Sequence, residues 1–328
     1  MRSIFDYKDN LHNKDDIQSK LKWGNLNSPK PEVSILMPVY NHPHFFKLAL
    51  DTAISQDYEG LYEIIILDNN QDDDIDNVNE FEKYVIEKND YRILYYKNIH
   101  NIQGINSYNR LPQLARADYF IFLHDDDELC PNCLSVLMKV KEKNNINKEL
   151  IIPDVISIDK NSLPIYKRKS INSRRLWGKD YLTTKLDWFF CSYTNGGGVL
   201  HNRQAFLDLG GYCSDFIPSA DYAFYILYFT KFGAFFHHST LFRYRWAEND
   251  SMIVYKKCAE RDSQFRSDMM KLICIPNFIL RRFITSLCRI KVYESDINFK
   301  GESKVSVSFV DKTLKKLSVI IRLAIHII

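Results

Sequence analysis

The sequence predicts an α/β chain built on a doubly wound, mostly parallel sheet with helices on both faces. Two observations predict it. Short apolar runs alternate with stretches of helical spacing, and three of those runs end at their carboxyl side in polar clusters, Tyr40-Asn41, Asp68-Asn69 and Asp125-Asp126. Val33 to Tyr40 is an apolar run closed by turn chemistry, as expected of a parallel strand buried on both faces. His44 to Ser55 then carries Phe45, Leu48, Ala49, Thr52 and Ala53 at helical spacing. Glu63 to Leu67 reads as a second buried strand, followed by the acidic run Asp72-Asp73-Asp74, an exposed loop. A helix is expected over roughly 75–89 and a third strand over Tyr91 to Tyr96. Asn106 to Ala117 reads as helical, and Tyr119 to Leu123 as a fourth strand ending in His124-Asp125-Asp126-Asp127.

With 328 residues, 45% of them hydrophobic, the chain can bury a full core without staples. That composition excludes a disordered or collagen-like chain. No run approaches the roughly 18 apolar residues of a spanning helix, and MRSIFDYKDN carries charges where a signal peptide needs its apolar stretch. Seven scattered cysteines suit reduced thiols, so a cytoplasmic protein is expected. Cys130-Pro131-Asn132-Cys133 lacks a second ligand pair at zinc spacing and reads as a turn. Three regions are expected: a polar N-terminal extension over 1–30 ending in Ser28-Pro29-Lys30-Pro31, a domain over 31–255, and a basic amphipathic region over 256–328. The last region holds 15 Lys and Arg against 7 Asp and Glu, whereas the rest is net acidic. An anionic surface is therefore the expected partner of the tail alone.

Ligands of open α/β sheets bind outside the carboxyl ends of the strands, so the three polar strand ends should meet at one crevice. No G-x-G-x-x-G follows the first strand, no G-x-x-x-x-G-K-[ST] occurs, and only 11 glycines are present. Dinucleotide dehydrogenases and P-loop NTPases are thereby disfavoured. The natural phosphate-handling device is a divalent metal, Mg²⁺ or Mn²⁺, on Asp125-Asp126-Asp127. In isolation that triplet could equally cap a helix. Asn195-Gly196-Gly197-Gly198 permits close approach of a ligand and could border an acceptor, or could be a plain turn.

Taken together, Val33 to Asn41, Glu63 to Asp68, Asn98 to Arg110, Asp125 to Leu129, Leu209-Gly210-Gly211-Tyr212, Ala220-Asp221-Tyr222 and Tyr244-Arg245 resemble, in order, the family 2 glycosyltransferases. Those enzymes have the GT-A, Rossmann-like fold, and the resemblance covers roughly residues 32–251. It implies that Pro38, Val39, Tyr40, Asn41 and Asp68 line the base and ribose of a nucleotide-sugar donor, with Asn101 and Asn109 in the same donor-binding set. It implies Asp126 as metal ligand, Asp125 shared between ribose and metal, and Asp221 as the general base of an inverting enzyme. The chain departs from the pattern in three places. Asn69 replaces a second acidic residue, His124 occupies the first position of an Asp-x-Asp, and Ala247 stands where a metal-binding His often follows Tyr-Arg. His237 or His238 could substitute for that ligand. Arg245-Trp246 is similar to the Gln-x-x-Arg-Trp signature of processive synthases, but Phe242 holds the Gln position, so a single transfer is expected.

Helices are expected over Pro276 to Ile290 and Lys312 to Ile328. In the second, Lys312, Lys315, Arg322 and His326 form one stripe on an otherwise apolar surface. This fits an in-plane anchor on an anionic membrane, or a tail packed on its own core or on a second copy. Regular base-stacking aromatics are not evident there, so nucleic acid is not an expected partner. The expected function is inverting, metal-dependent transfer of one sugar, UDP-linked, to a lipid-linked or oligosaccharide acceptor in surface polysaccharide assembly. Such an enzyme would be peripheral on the inner face of the cytoplasmic membrane. The alternatives are a non-catalytic sugar-nucleotide-binding or scaffold subunit and, more remotely, a nucleotidyltransferase.

Overall fold

Continuous runs of branched apolar residues build the central strands. The computed structural model describes residues 3–70, 78–165, 178–191, 197–246, 251–300 and 302–326. In chain order the first elements are β1 (Ser19–Trp23), β2 (Val33–Val39), α1 (Pro43–Ile54), β3 (Tyr62–Asp68), α2 (Glu80–Lys88), β4 (Ile93–Asn98), α3 (Gly104–Leu114) and β5 (Tyr119–Phe122). There follow β6 (Glu128–Leu129), α4 (Cys133–Lys143), β7 (Leu150–Ile158), β8 (Tyr181–Leu182), α5 (Lys185–Phe190), β9 (His201–Asn202) and α6 (Arg203–Asp208). The chain continues through α7 (Ala220–Phe232), β10 (Ala234–Arg245), α8 (Ser251–Met269), α9 (Asn277–Lys300) and α10 (Phe309–Ile325).

The main sheet has the order β1-β4-β3-β2-β5-β9, in which β4, β3, β2 and β5 are parallel and the two edge strands antiparallel. Side chains alternate across it. Ile35, Met37, Ile64 and Ile66 pack with Phe46, Leu50, Phe81, Val85, Leu134 and Leu137 from α1, α2 and α4. Leu36, Ile65, Leu67 and Phe122 face the other way, toward Leu111, Phe206, Phe224 and Phe265 from α3, α6, α7 and α8. This is the expected doubly wound arrangement. A second sheet, β6-β10-β7 with β8 on β10, extends beside it.

The segment 1–30 differs from the expected lead-in. Ser19–Trp23 is the edge strand β1, paired with β4. Ile4 and Leu11 are buried in the core, Tyr7 stacks on Phe216 at 5.6 Å, and the Asn10 amide donates to Gly210 O at 2.8 Å. These apolar anchors are too widely spaced to give a periodic signal, which is why composition alone reads the segment as a linker. The second helix starts at Glu80, where Asn79 caps it by accepting from the Glu82 amide at 3.0 Å. Asp72, Asp73 and Asp74 lie outside the described residues.

At the carboxyl end, α9 packs on α8 and α10, and α10 reaches α5. A capping box, Ser308 with Asp311, starts α10. Of the alternatives, the helix packs on the chain's own core, with Leu314, Ile321 and Leu323 against it. Asp311, Ser318 and Arg322 face inward, with Arg322 0% exposed, while Phe309 (84%), Val310, Leu317 and Ile320 face outward. Arg322 Nε donates to Asp187 Oδ1 at 2.8 Å, and His326 Nε2 lies 2.8 Å from Asp187 Oδ2. Arg322 and His326 of the cationic stripe thus serve a buried carboxylate, because an unpaired acid at that depth is costly, while Lys312 stays exposed and Lys315 pairs with Glu294. No described helix is long and apolar enough to cross a membrane.

Candidate active site

Because β2 lies between β3 and β5, their three carboxyl ends are neighbours. The loops they release are tied by hydrogen bonds. Tyr40 N donates to Asp125 Oδ2 at 2.7 Å, and Asn41, held at a φ of 62°, donates to Asn70 Oδ1 at 3.0 Å. Asn70 in turn donates its backbone N (2.8 Å) and Nδ2 (2.7 Å) to Asp68 Oδ1. Tyr40, Asn41, Asp125 and Asp126 accordingly stand at the rim, and Pro38 is half-buried beneath them. The Val39 side chain belongs to the core, and its carbonyl accepts from the Asn69 amide at 3.0 Å.

Three residues expected in the donor set are instead occupied by the chain. Asp68 is fully buried, its second oxygen taking Asn79 Nδ2 at 2.7 Å and the Tyr95 hydroxyl at 2.5 Å. Asn101 donates to Asn69 O at 2.9 Å and accepts from the Gln103 amide at 2.8 Å, locking the loop between β4 and α3. Asn109 is buried, and its amide grips the Tyr212 backbone at both ends, Oδ1 accepting at 2.7 Å and Nδ2 donating at 2.9 Å. Spacing brought these residues to notice, and the geometry gives them structural work. Asn69 belongs to the same network, accepting from Asn98 Nδ2 at 3.0 Å and the Ile102 amide at 2.9 Å.

After β5 the chain sets His124, Asp126 and Asp127 so that one ligand atom from each lies within 4.8 Å of the others. His124 Nδ1 is 2.7 Å from Asp127 Oδ2. The partly exposed Asp126 carboxylate has no hydrogen-bond partner among the described residues. Burial pushes Asp125 up to about 7, against the pull of the Tyr40 amide and with help from the Asp126 charge. Burial likewise raises Asp127 to about 6, with His124 opposing. For His124, burial disfavours the cation, yet the Asp127 hydrogen bond and three acidic charges outweigh it and hold the imidazole near about 9. The residues fit a hard divalent cation, whose charge would replace those protons.

Arg245, at the end of β10, is the residue sequence reasoning missed. It is fully buried, its amide donating to Asp127 Oδ1 at 2.7 Å and its Nε to Asp126 O at 2.7 Å. Its guanidinium also pairs with Glu128, donates to Asp159 O at 2.7 Å and lies 4.8 Å over the Phe45 ring. One side chain therefore fixes the acidic turn from behind. Tyr244-Arg245 was visible as a motif, but nothing in its spacing revealed that grip.

Asp221 occupies the first turn of α7, half-buried, with Oδ1 accepting from the Tyr222 amide at 2.8 Å. Burial raises it to about 6; the Tyr222 bond opposes, Asp262 adds, and Lys291 of α9 and His124 oppose. Asp221 and the acidic turn both act electrostatically on Tyr108. Burial raises the Tyr108 hydroxyl well above its ordinary value, and Asp125, Asp126, Asp127 and Asp221 all push it the same way. Its ring meets Phe122, His124 and Tyr212 edge-on at 5.2, 5.8 and 6.0 Å. Asp125, Asp126 and Asp221 thus share an electrostatic influence on Tyr108.

His237 and His238 do not supply the missing ligand. They lie near the start of β10, about seven or eight residues and roughly 25 Å of extended strand before Arg245. Ala247 lies outside the described residues, as do Asn195 and Gly196. Gly197 and Gly198 are explained by Phe242, whose side chain a Cβ on either would meet within 2.9 Å or less.

Comparison with known proteins extends this geometry. Residues 34–207 match the family model described as glycosyl transferase family 2. WcaA of Escherichia coli (strain K12), named as a colanic acid biosynthesis glycosyl transferase, is 33% identical over 154 residues, 45% of this chain and 53% of that protein. The GalNAc(5)-diNAcBac-PP-undecaprenol beta-1,3-glucosyltransferase of Campylobacter jejuni is 36% identical over 111 residues, 33% and 34% of the two chains. The matches thus span about half or less of these curated relatives. Among solved structures, S. aureus TarS 1–349 in complex with UDP-GlcNAc superposes with a TM-score of 0.57 at 10% identity, over 88% of this chain and 79% of that one. The mannosyltransferase PcManGT from Pyrobaculum calidifontis, in complex with GDP-Man and Mn²⁺, gives 0.56 at 11% identity, over 93% and 89%. That likeness shows the shared GT-A fold. With more than half its length under the family model, the chain belongs to glycosyl transferase family 2.

Proposed function

We propose that this chain is an inverting, metal-dependent glycosyltransferase that moves one sugar from a UDP-linked donor to a lipid-linked or saccharide acceptor in surface polysaccharide assembly. The observation that carries the reading is the grouping of His124, Asp126 and Asp127 at the carboxyl end of β5, beside the Asp125 bond to the Tyr40 amide. Asp126 and Asp125, with Asp127 and His124 beside them, would hold Mg²⁺ or Mn²⁺, which when bound neutralises charge on the leaving diphosphate. Tyr40 and Asn41 at the rim border the nucleotide. Asp221, ionised above about pH 6, accepts the proton of the acceptor hydroxyl as it attacks the anomeric carbon, and a single displacement inverts that carbon. Arg245 keeps the acidic turn in register and touches no reacting atom.

The outward band of Phe309, Val310, Leu317 and Ile320 on α10, flanked by exposed Lys312 and Lys316, supports peripheral attachment to an anionic membrane on the cytoplasmic face. The Campylobacter relative's name, with its undecaprenol-linked substrate, supports a lipid-linked acceptor. The deciding experiment measures nucleoside diphosphate release from a panel of sugar nucleotides, with and without Mn²⁺ and a polyprenyl-linked acceptor. Acceptor-dependent, Mn²⁺-dependent release is expected. Donor binding without turnover would instead identify a scaffold subunit.

A further inference from the structure

Far from the donor crevice, the start of β10 carries a second constellation. His237 pairs with Pro153 of β7 and Thr240 with Asp154, so the bulge between them holds two extra residues on β10. Consecutive strand residues ordinarily point to opposite faces. Here the bulge brings His237 and His238 to the same carboxylate, Asp180, immediately before β8. His237 Nδ1 lies 2.9 Å and His238 Nδ1 2.6 Å from Asp180 Oδ1, and the rings are 5.1 Å apart. One ligand atom from each of the three lies within 4.8 Å of the others.

Hydrogen bonding alone leaves this cluster unresolved. The same Asp180 oxygen also accepts the His238 amide at 3.0 Å, the buried His237 meets it only through the Nδ1 ion-pair contact, and His237 Nε2 has no hydrogen-bond partner among the described residues. Native structures rarely leave a buried imidazole in that state without a ligand to explain it. Asp180 and His238 are partly exposed, at 31% and 45% of their side chains, so an ion has a way in.

We propose that Asp180, His237 and His238 form a Zn²⁺ site. Two imidazole nitrogens and one carboxylate oxygen are a donor set suited to Zn²⁺, with a fourth position left for water. Its role is a clamp. β8 is a two-residue strand held to β10, and its Tyr181 lies 4.3 Å from the His326 ring and accepts from Arg322 at 3.1 Å. The ion fixes β8 to the bulge and, through Tyr181, steadies the seat of α10.

The test is calorimetric titration of the chelator-treated full chain with ZnCl₂, comparing the parent with Asp180→Asn, His238→Ala and Asp126→Ala. The two partly exposed positions are chosen because buried His237 serves folding as well. The site requires one equivalent in the parent that persists in Asp126→Ala and is lost in both other variants, with a matching loss of the zinc-induced rise in melting temperature. Co²⁺ in the same site should show ligand-field bands without thiolate charge transfer. Zinc binding unchanged by Asp180→Asn and His238→Ala, or abolished by Asp126→Ala alone, overturns the proposal.

Discussion

Arg322 of α10 and Asp187 of α5 form an ion pair in which neither side chain is exposed, with Nε 2.8 Å from Oδ1. Burial alone would raise Asp187, but the His326 hydrogen bond and the Arg322 charge hold it below the usual carboxylate range. Removing one partner of such a pair leaves the other charged and dry. Arg322→Ala should therefore cost about 3–5 kcal/mol, read from urea unfolding. A cost under about 1 kcal/mol would show that α10 is not seated on α5.

Asp126→Ala should lower Mn²⁺-dependent turnover by about a hundredfold or more. Because no hydrogen bond depends on that carboxylate, the melting temperature of the metal-free chain should scarcely move. Turnover equal to the parent would remove Asp126 from the metal set.

Asp221→Asn should leave donor affinity intact while transfer falls about 10²–10⁴-fold. In the parent, the rate should drop as pH falls through about 6, where Asp221 takes up a proton. Retention of both transfer and the acidic limb in the variant would exclude Asp221 as base.

The acidic turn predicts a pH dependence of stability opposite to the usual carboxylate case. Asp125 and Asp127 titrate at about 7 and about 6 when folded, above their unfolded values near 3.9. Between those limits the folded chain binds more protons than the unfolded one. These groups therefore stabilise fully below about pH 4, and their contribution declines as pH rises through about 6–7. Melting curves of the metal-free protein should show that decline, and Asp125→Asn should flatten it. Mn²⁺ should stabilise more at pH 7.5 than at pH 5.5, where it competes with protons.

Asn109→Ala distinguishes a structural clamp from a donor ligand. Loss of both bonds to the Tyr212 backbone should cost about 1–3 kcal/mol in unfolding free energy. The donor KM should stay near the parent value. A raised KM with unchanged stability would return Asn109 to the donor set.

The sheet was legible because β2, β3, β4 and β5 are continuous apolar runs that only a doubly covered parallel sheet accommodates. Asp125, Asp126 and Asp221 were singled out by strand ends and a known motif order. The internal bonds of Asp68 and Asn109 were not legible, since a polar side chain at the right spacing looks the same whether it faces a ligand or the chain itself. Arg245 stayed hidden because its partners, Asp126, Asp127 and Asp159, lie at least 86 residues away in sequence. The orientation of α10 was ambiguous for a related reason. A helix with one polar stripe can turn either side outward, and the buried acid on α5 that decides the matter is more than a hundred residues distant.

That seating of α10 constrains how membrane attachment can be studied. Trimming the protein before Phe309 would strand the Asp187 carboxylate in a dry interior, so loss from vesicles and loss of folding would arrive together. Replacing Phe309, Leu317 and Ile320 with serine alters only the solvent-facing band and leaves the Asp187 seat untouched. Liposome co-sedimentation of that triple variant separates greasy adhesion from structural collapse.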